Sequence, residues 1–267
     1  MRQRNEHFVY ANNLTKKESL DYKDAWGNYD MIQIAANEYR DEVKDAELIL
    51  AKDNEILKIP YITRFSTEYT EAQEKKIRAL KKKISQNSVF MTLTIDPSRF
   101  SSLFSAFKHL KKSFHKLMNT IIKNVMRDSG EVKGEYKGYI AVLEFQKNGA
   151  PHLHVLLNGI VYVNADWLRN LWNKVYSVGI FVNLKPLFRA NYAINYMIKY
   201  LTKSLNQDRI LAWALNARFW SCALSLIHDL DQVRQKIPKP KSGWIYLGHA
   251  PRGIIETYAD ALAYFAG

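Results

Sequence analysis

Between residues 89 and 184 the spacing of apolar side chains switches in a fixed order, and few folds accommodate that order. Val89-Phe90-Met91-Thr92-Leu93-Thr94-Ile95 alternates, is rich in β-branched residues and stops at Asp96-Pro97, so it reads as a strand. A long stripe follows at helical spacing, Leu103, Phe107, Leu110, Phe114, Leu117, Ile121 and Val125, with Ser101 or Ser102 as its cap and Lys108, Lys111, Lys112 and Lys116 on the polar side. After a Gly-containing loop over 129–138, Tyr139 to Gln146 is a strand. Lys147-Asn148-Gly149-Ala150 is a turn, and His152 to Leu157 returns. Asn164 caps a helix with Trp167, Leu168, Leu171, Trp172 and Val175, closed by Gly179. Ile180 to Leu184 is a short strand, and Ala190 to Leu205 a further helix that must pack on the sheet or its edge. The order β-α-β-β-α-β predicts an α+β fold: a split βαβ (ferredoxin/RRM-like) antiparallel sheet with two helices on one face.

The flanks read as helical extensions. A helix is expected over about 30–52 and another over 68–85, the latter with Ile77, Leu80 and Ile84 on one side. Beyond 205 a Trp-rich helical region runs to about 232. A Pro238-Lys239-Pro240-Lys241 linker follows, then a tail of one strand and one helix.

Composition narrows the class of function. The chain carries 39 Lys+Arg against 26 Asp+Glu, a net charge of +13. Residues 1–60 are net acidic, whereas Lys75 to Arg127 holds 13 basic groups against the single acid Asp96. Such concentration suggests a polyanionic partner, most simply nucleic acid, although solvated helix faces would look the same. Cys222 is the only cysteine, which excludes an internal disulfide or a thiolate metal cluster. Every apolar run breaks before the ~18 residues of a membrane span, and the charged start Met1 to His7 is unlike a signal peptide. An intracellular, cytoplasmic protein without a membrane partner is expected.

Two motifs could carry chemistry. In Pro151-His152-Leu153-His154, alternation puts both imidazoles on the sheet face opposite Leu153, Val155 and Leu157, away from the two helices. Glu144 joins them only if the hairpin loop has an odd residue count. Reflection about Gly149 would then set it beside His154, whereas a two- or four-residue loop would turn it away. Two imidazoles and one carboxylate with open positions suit Mg²⁺ or Mn²⁺ on a phosphate substrate. The competing reading is a structural His pair beside a solvated Glu. The second motif, Tyr196-Met197-Ile198-Lys199-Tyr200-Leu201-Thr202-Lys203, sets two tyrosines one helical turn apart, each with a lysine at i+3. An ammonium beside a phenol favours the phenolate nucleophile. Against that stands an ordinary amphipathic helix with core tyrosines and solvated lysines.

Taken together, Phe90 to Thr94, Glu144 with Pro151-His152-Leu153-His154, and Tyr196-x-x-Lys199-Tyr200-x-x-Lys203 resemble the HUH endonucleases. In particular they resemble the rolling-circle replication initiators (Rep proteins) of plasmids and viruses. The resemblance covers residues 86–206 as a nuclease core, between an extension over 1–85 and a C-terminal region over 207–267. It implies that Glu144, His152 and His154 hold the cation against the scissile phosphate of single-stranded DNA at an origin. Tyr196 and Tyr200, helped by Lys199 and Lys203, then form a 5′-phosphotyrosine and later rejoin the strand. A host polymerase would extend the free 3′-hydroxyl. With no G-x-x-x-x-G-K-[ST] run in the chain, a partner helicase would unwind the duplex. Two alternatives remain at this stage, an HUH transposase or relaxase and a non-catalytic RRM-like module. Lys137-Gly138-Tyr139 partly echoes an RNA-binding signature, but Glu144 falls where that signature needs an aromatic ring.

Overall fold

The computed structural model describes residues 29–227 and 243–266. In chain order, α1 (Tyr29–Glu42) leads into a hairpin of β1 (Ala46–Lys52) and β2 (Glu55–Pro60), followed by α2 (Thr67–Ala79). The core comprises β3 (Ser88–Thr94), α3 (Leu103–Met126), β4 (Val132–Phe145), β5 (Pro151–Val163), α4 (Ala165–Asn170), β6 (Val182–Leu187) and α5 (Ala190–Gln207). Then come α6 (Arg209–Ala214), β7 (Trp220–Cys222), α7 (Leu224–Ile227), β8 (Ile245–Pro251) and α8 (Tyr258–Ala266).

The main sheet has the order β6-β3-β5-β4-β7 with every neighbouring pair antiparallel. Its first four strands follow the split βαβ arrangement, so the α+β architecture holds as expected. α3 starts where its cap predicts. Ser102 Oγ accepts from Ser105 N at 3.1 Å while Ser105 Oγ accepts from Ser102 N at 3.2 Å, a reciprocal capping box. Its stripe of Leu103, Phe107, Leu110, Phe114, Leu117 and Ile121 is buried with Leu153, Val155 and Leu157 in one continuous core. The lysines of α3 therefore lie outside that helix, on the side of the sheet away from the histidines.

Several elements depart from the sequence pattern. The helix expected over 30–52 ends at Glu42, and 46–60 is a hairpin whose two loop residues, Asp53 (φ 48°) and Asn54 (φ 65°), are both left-handed. That is the turn geometry matching strand twist. The 129–138 loop is shorter than expected because β4 begins at Val132. Trp220–Cys222, read as helix, is instead a fifth strand on the edge of the main sheet. The C-terminal strand and helix are present, but β8 pairs with β1 to make a second sheet of order β2-β1-β8. Both flanks thus contain helices, as expected, and strands besides. The end of the Trp-rich region at 228–232 and the Pro238–Lys241 linker lie outside the described residues.

Gly179 does not cap a helix. α4 stops at Asn170, its last turn widens over Leu171–Val175, and Val175 is exposed. Gly179 instead lets the chain press against the end of β3, where a Cβ would strike the backbone at Thr94 O, Asp96 N and Ile95 C. Asp96 N donates to Val178 O at 2.9 Å, and Trp172 Nε1 donates to Thr94 O at 2.9 Å across the same junction. Gly179→Ala should therefore destabilise the fold by about 1–3 kcal/mol through overpacking, read as a lower urea midpoint at unchanged slope.

Candidate metal centre and tyrosine helix

The hairpin between β4 and β5 decides whether Glu144 can meet the histidines. Phe145 pairs with Pro151, leaving the five-residue loop 146–150, an odd count, with Gly149 at φ 76°. Glu144 consequently shares a face with both histidines. The loop is centred on Asn148 rather than Gly149, so Glu144 stands opposite His152, and Val142 stands opposite His154. A two-residue offset leaves side-chain parity unchanged.

Three ligand atoms converge on that face. Glu144 Oε2 lies 2.6 Å from His154 Nε2 and 3.3 Å from His152 Nε2, and the two Nε2 atoms are 2.9 Å apart. One face of an octahedron with bonds of about 2.1 Å has edges of about 3.0 Å, so this triangle could hold a metal ion with further positions open. Glu144 and His154 are buried, while His152 is partly exposed and marks the open side. In metal-free protein His154 Nε2–H faces the Glu144 carboxylate; a cation at Nε2 would move the ring proton to Nδ1, where Thr92 Oγ1 lies 3.3 Å away as an acceptor.

The electrostatics agree with a ligand set. Burial by itself would raise the Glu144 carboxyl, but hydrogen bonds from His152, His154 and Lys203 outweigh it and hold the group well below the usual carboxylate range. Burial pushes His154 down, against the hydrogen bond to Glu144, so its ring is neutral at pH 7. Both are the ionisation states that metal coordination needs.

The face carrying the cluster is not bare. α5 lies across it and α2 packs against α5, where Thr202 Oγ1 donates to Glu74 at 2.5 Å. Tyr200 stacks on His154 with ring centroids 3.6 Å apart, and Phe90 makes contact with His154, Tyr196 and Tyr200. The Tyr200 hydroxyl donates to the Tyr196 hydroxyl at 3.3 Å. Burial chiefly, then that hydrogen bond, raises the Tyr200 phenol above its ordinary value and keeps it protonated.

The lysines take other partners than helical spacing suggests. Lys203 forms an ion pair with Glu144 Oε1 instead of standing beside Tyr200. Lys199 is exposed and faces the Tyr200 ring at 5.7 Å. The cation beside Tyr196 is Lys185 of β6, 4.9 Å from the ring centroid and bonded to Tyr192 Oη at 3.2 Å. Sequence reasoning missed Lys185, Tyr192 and Thr92. The strand alternation that places Thr92 with His154 was the available signal for the last of these.

Asp208 sits just behind the cluster, buried at the end of α5, with Oδ2 accepting from Phe145 N at 3.0 Å. Burial raises its carboxyl to about 6, and the charge of Glu144 adds to the effect. Because the folded value lies above the unfolded one, this group's contribution is most favourable below about pH 4 and is lost as pH rises through about 6. In metal-free protein, Asp208→Asn should therefore raise stability at pH 7 by about 1–3 kcal/mol, with the gain vanishing near pH 4. Urea melts of both proteins across that range check the sign.

Residues 88–205, somewhat less than half of the chain, match the family model of the replication-associated protein ORF2. The match runs from β3 into α5 and spans all seven predicted site residues. The chain is also 29% identical over 153 residues to Uncharacterized protein 1 of Halorubrum pleomorphic virus 1, covering 52% of this chain. It spans only 29% of that protein's length. No solved structure matches. The segment that builds the Glu/His/His cluster and most of the tyrosine helix is thus the segment that is similar to replication-associated proteins.

Proposed function

We propose that the chain is a Rep-type HUH endonuclease that nicks single-stranded DNA at a replication origin and later rejoins it. The observation that carries this reading is the stacking of Tyr200 on His154, which brings the tyrosine pair onto the metal-ligating cluster. A Mg²⁺ or Mn²⁺ ion held by Glu144, His152 and His154 would polarise the scissile phosphate. Tyr196 is the first nucleophile. Its oxygen accepts the hydrogen bond from the protonated Tyr200, and Lys185 lies against its ring, so negative charge is favoured there. Attack forms the bond from Tyr196 Oη to phosphorus and breaks the bond from phosphorus to O3′. A 5′-phosphotyrosine is left, and the departing O3′ takes up a proton. Tyr200, one turn away, serves the return transfer. Lys203 neutralises Glu144, and Lys199, next to the Tyr200 ring, supplies positive charge for the phosphate.

The family match and the viral relative support replication initiation over a transposase or relaxase. They fit a protein working beside plasmid or viral DNA inside a cell, with a polymerase and a helicase as partners. Among the described residues no helix is long and apolar enough to cross a membrane. The RRM-like alternative needs an open sheet face with stacking aromatics. Here α5 lies over that face. The test is incubation with single-stranded origin candidates and Mn²⁺, followed by a denaturing gel. A covalent protein–DNA adduct is expected; high-affinity DNA binding without any adduct would favour the non-catalytic module.

A further inference from the structure

The sheet register leads outward from the candidate metal centre to an open edge. Glu144 pairs with His152, His152 with Thr94, and one residue beyond the β3–β6 ladder Thr94 N donates to Phe181 O at 3.2 Å. Paired residues share a face, so Glu144, His152, Thr94 and Phe181 form one row across the sheet. The parallel rows on the same face place Asn183 beside Thr92 and Lys185 beside Phe90. Phe181, Asn183 and Lys185 thus line the outermost strand on the face that holds the ligand atoms, and all three are exposed.

Two further observations say what this surface fits. His152, in the same row as Phe181, is partly exposed, whereas His154 and Glu144 are buried beneath Tyr200 and Lys203 of α5. The charge is also one-sided. Between Asp166 and Asp208 there is no acidic residue, and the basic ones are Arg169, Lys174, Lys185, Arg189, Lys199 and Lys203. Phe181 itself is 58% exposed, an aromatic ring left in water two strands from His152, a span of about 10 Å. An exposed aromatic beside lysine on an edge strand is the combination that holds an unpaired base and its phosphate.

We propose that Phe181, Asn183 and Lys185 form a track for the single strand that flanks the scissile phosphate, with Phe181 stacking on a base, Asn183 offering hydrogen bonds and Lys185 pairing with the backbone. The track rests on the nuclease reading for its location but not for its measurement. Junction contacts hold it in shape: Trp172 bonds to Thr94 O, and Lys185 is braced by Tyr192. An exposed ring can be removed without opening a cavity, so the variants should fold.

The test measures binding and cleavage separately on the full chain. Anisotropy of a labelled oligodeoxythymidine of about 16 nucleotides, in EDTA so that nothing is cut, should show Phe181→Ala binding about 5- to 50-fold more weakly, with Phe181→Trp restoring affinity. Lys185→Ala should weaken binding and flatten its salt dependence. On a cleavable strand with Mn²⁺, Phe181→Ala should raise KM with kcat nearly unchanged. Phe181→Ala within twofold of the parent, or Phe181→Trp no better than Phe181→Ala, overturns the track while leaving the nuclease reading intact. An unchanged affinity together with an altered elution volume in gel filtration also overturns it, assigning the edge to protein contact instead. If the parent chain never cleaves yet Phe181→Ala still loses affinity, the track stands and the nuclease reading falls.

Discussion

Tyr196→Phe should abolish the covalent adduct, a loss of at least about a thousandfold in strand cleavage, because it deletes the oxygen proposed to attack. DNA binding should stay within a few-fold, since the ring stays in place and no cation is touched. The same substitution should cost little stability: Tyr196 is half-buried and, among the described residues, its hydroxyl accepts a hydrogen bond from Tyr200. Tyr200→Phe is the informative companion. It removes the donor to Tyr196 while keeping the ring stacked on His154, so first-strand cleavage should continue at a reduced rate and the second transfer should fail. A trapped adduct from Tyr200→Phe that cannot be resolved would be the expected product on a denaturing gel. Loss of the adduct in Tyr200→Phe alone would instead assign attack to Tyr200.

The candidate metal centre gives the second large effect. Binding to the folded state at a hundredfold above Kd contributes about 2.7 kcal/mol, so Mn²⁺ should raise the Tm of the parent chain by about 5 °C or more. His152→Ala combined with His154→Ala should abolish both that rise and all cleavage. The variant should still fold, because Lys203 continues to neutralise the buried Glu144. Circular dichroism separates the outcomes. A double variant that keeps its helical signal and retains cleavage removes these residues from the site.

How much of this was legible in the sequence depends on what kind of signal each feature carries. Alternation fixes that His152 and His154 share a face, but whether Glu144 joins them hung on the parity of the hairpin loop, which the five-residue loop 146–150 decides. Alternation is blind to an offset of two, and therefore could not place Glu144 opposite His152 instead of His154. Helical spacing correctly put Tyr196 and Tyr200 together, but a lysine side chain is long enough to prefer a tertiary partner. Lys203 reaches a buried carboxylate across to β4, a contact that no local rule contains. The small hairpin was readable and was overlooked: Asp53-Asn54 between two short apolar runs is a turn signal. Strand β7 was not readable, since three residues are too few to establish a period. The covering of the histidine face by α5 follows from packing alone; the sequence requires only that this helix bury Met197, Leu201 and Leu205 somewhere.

The pairing of β8 with β1 has a consequence for biosynthesis. Ala46 meets Pro251, so this ladder joins residues at opposite ends of the described chain, while every strand pair of the main sheet lies within residues 88–222. A growing polypeptide can complete the main sheet while β1 and β2 wait as an isolated two-stranded ribbon, which is marginal in water. Until β8 emerges from the ribosome, the apolar edge around Ile49 is an exposed template for pairing with other chains. Closure of that small sheet is a high-contact-order event, so it should trail the more local pairings of the main sheet.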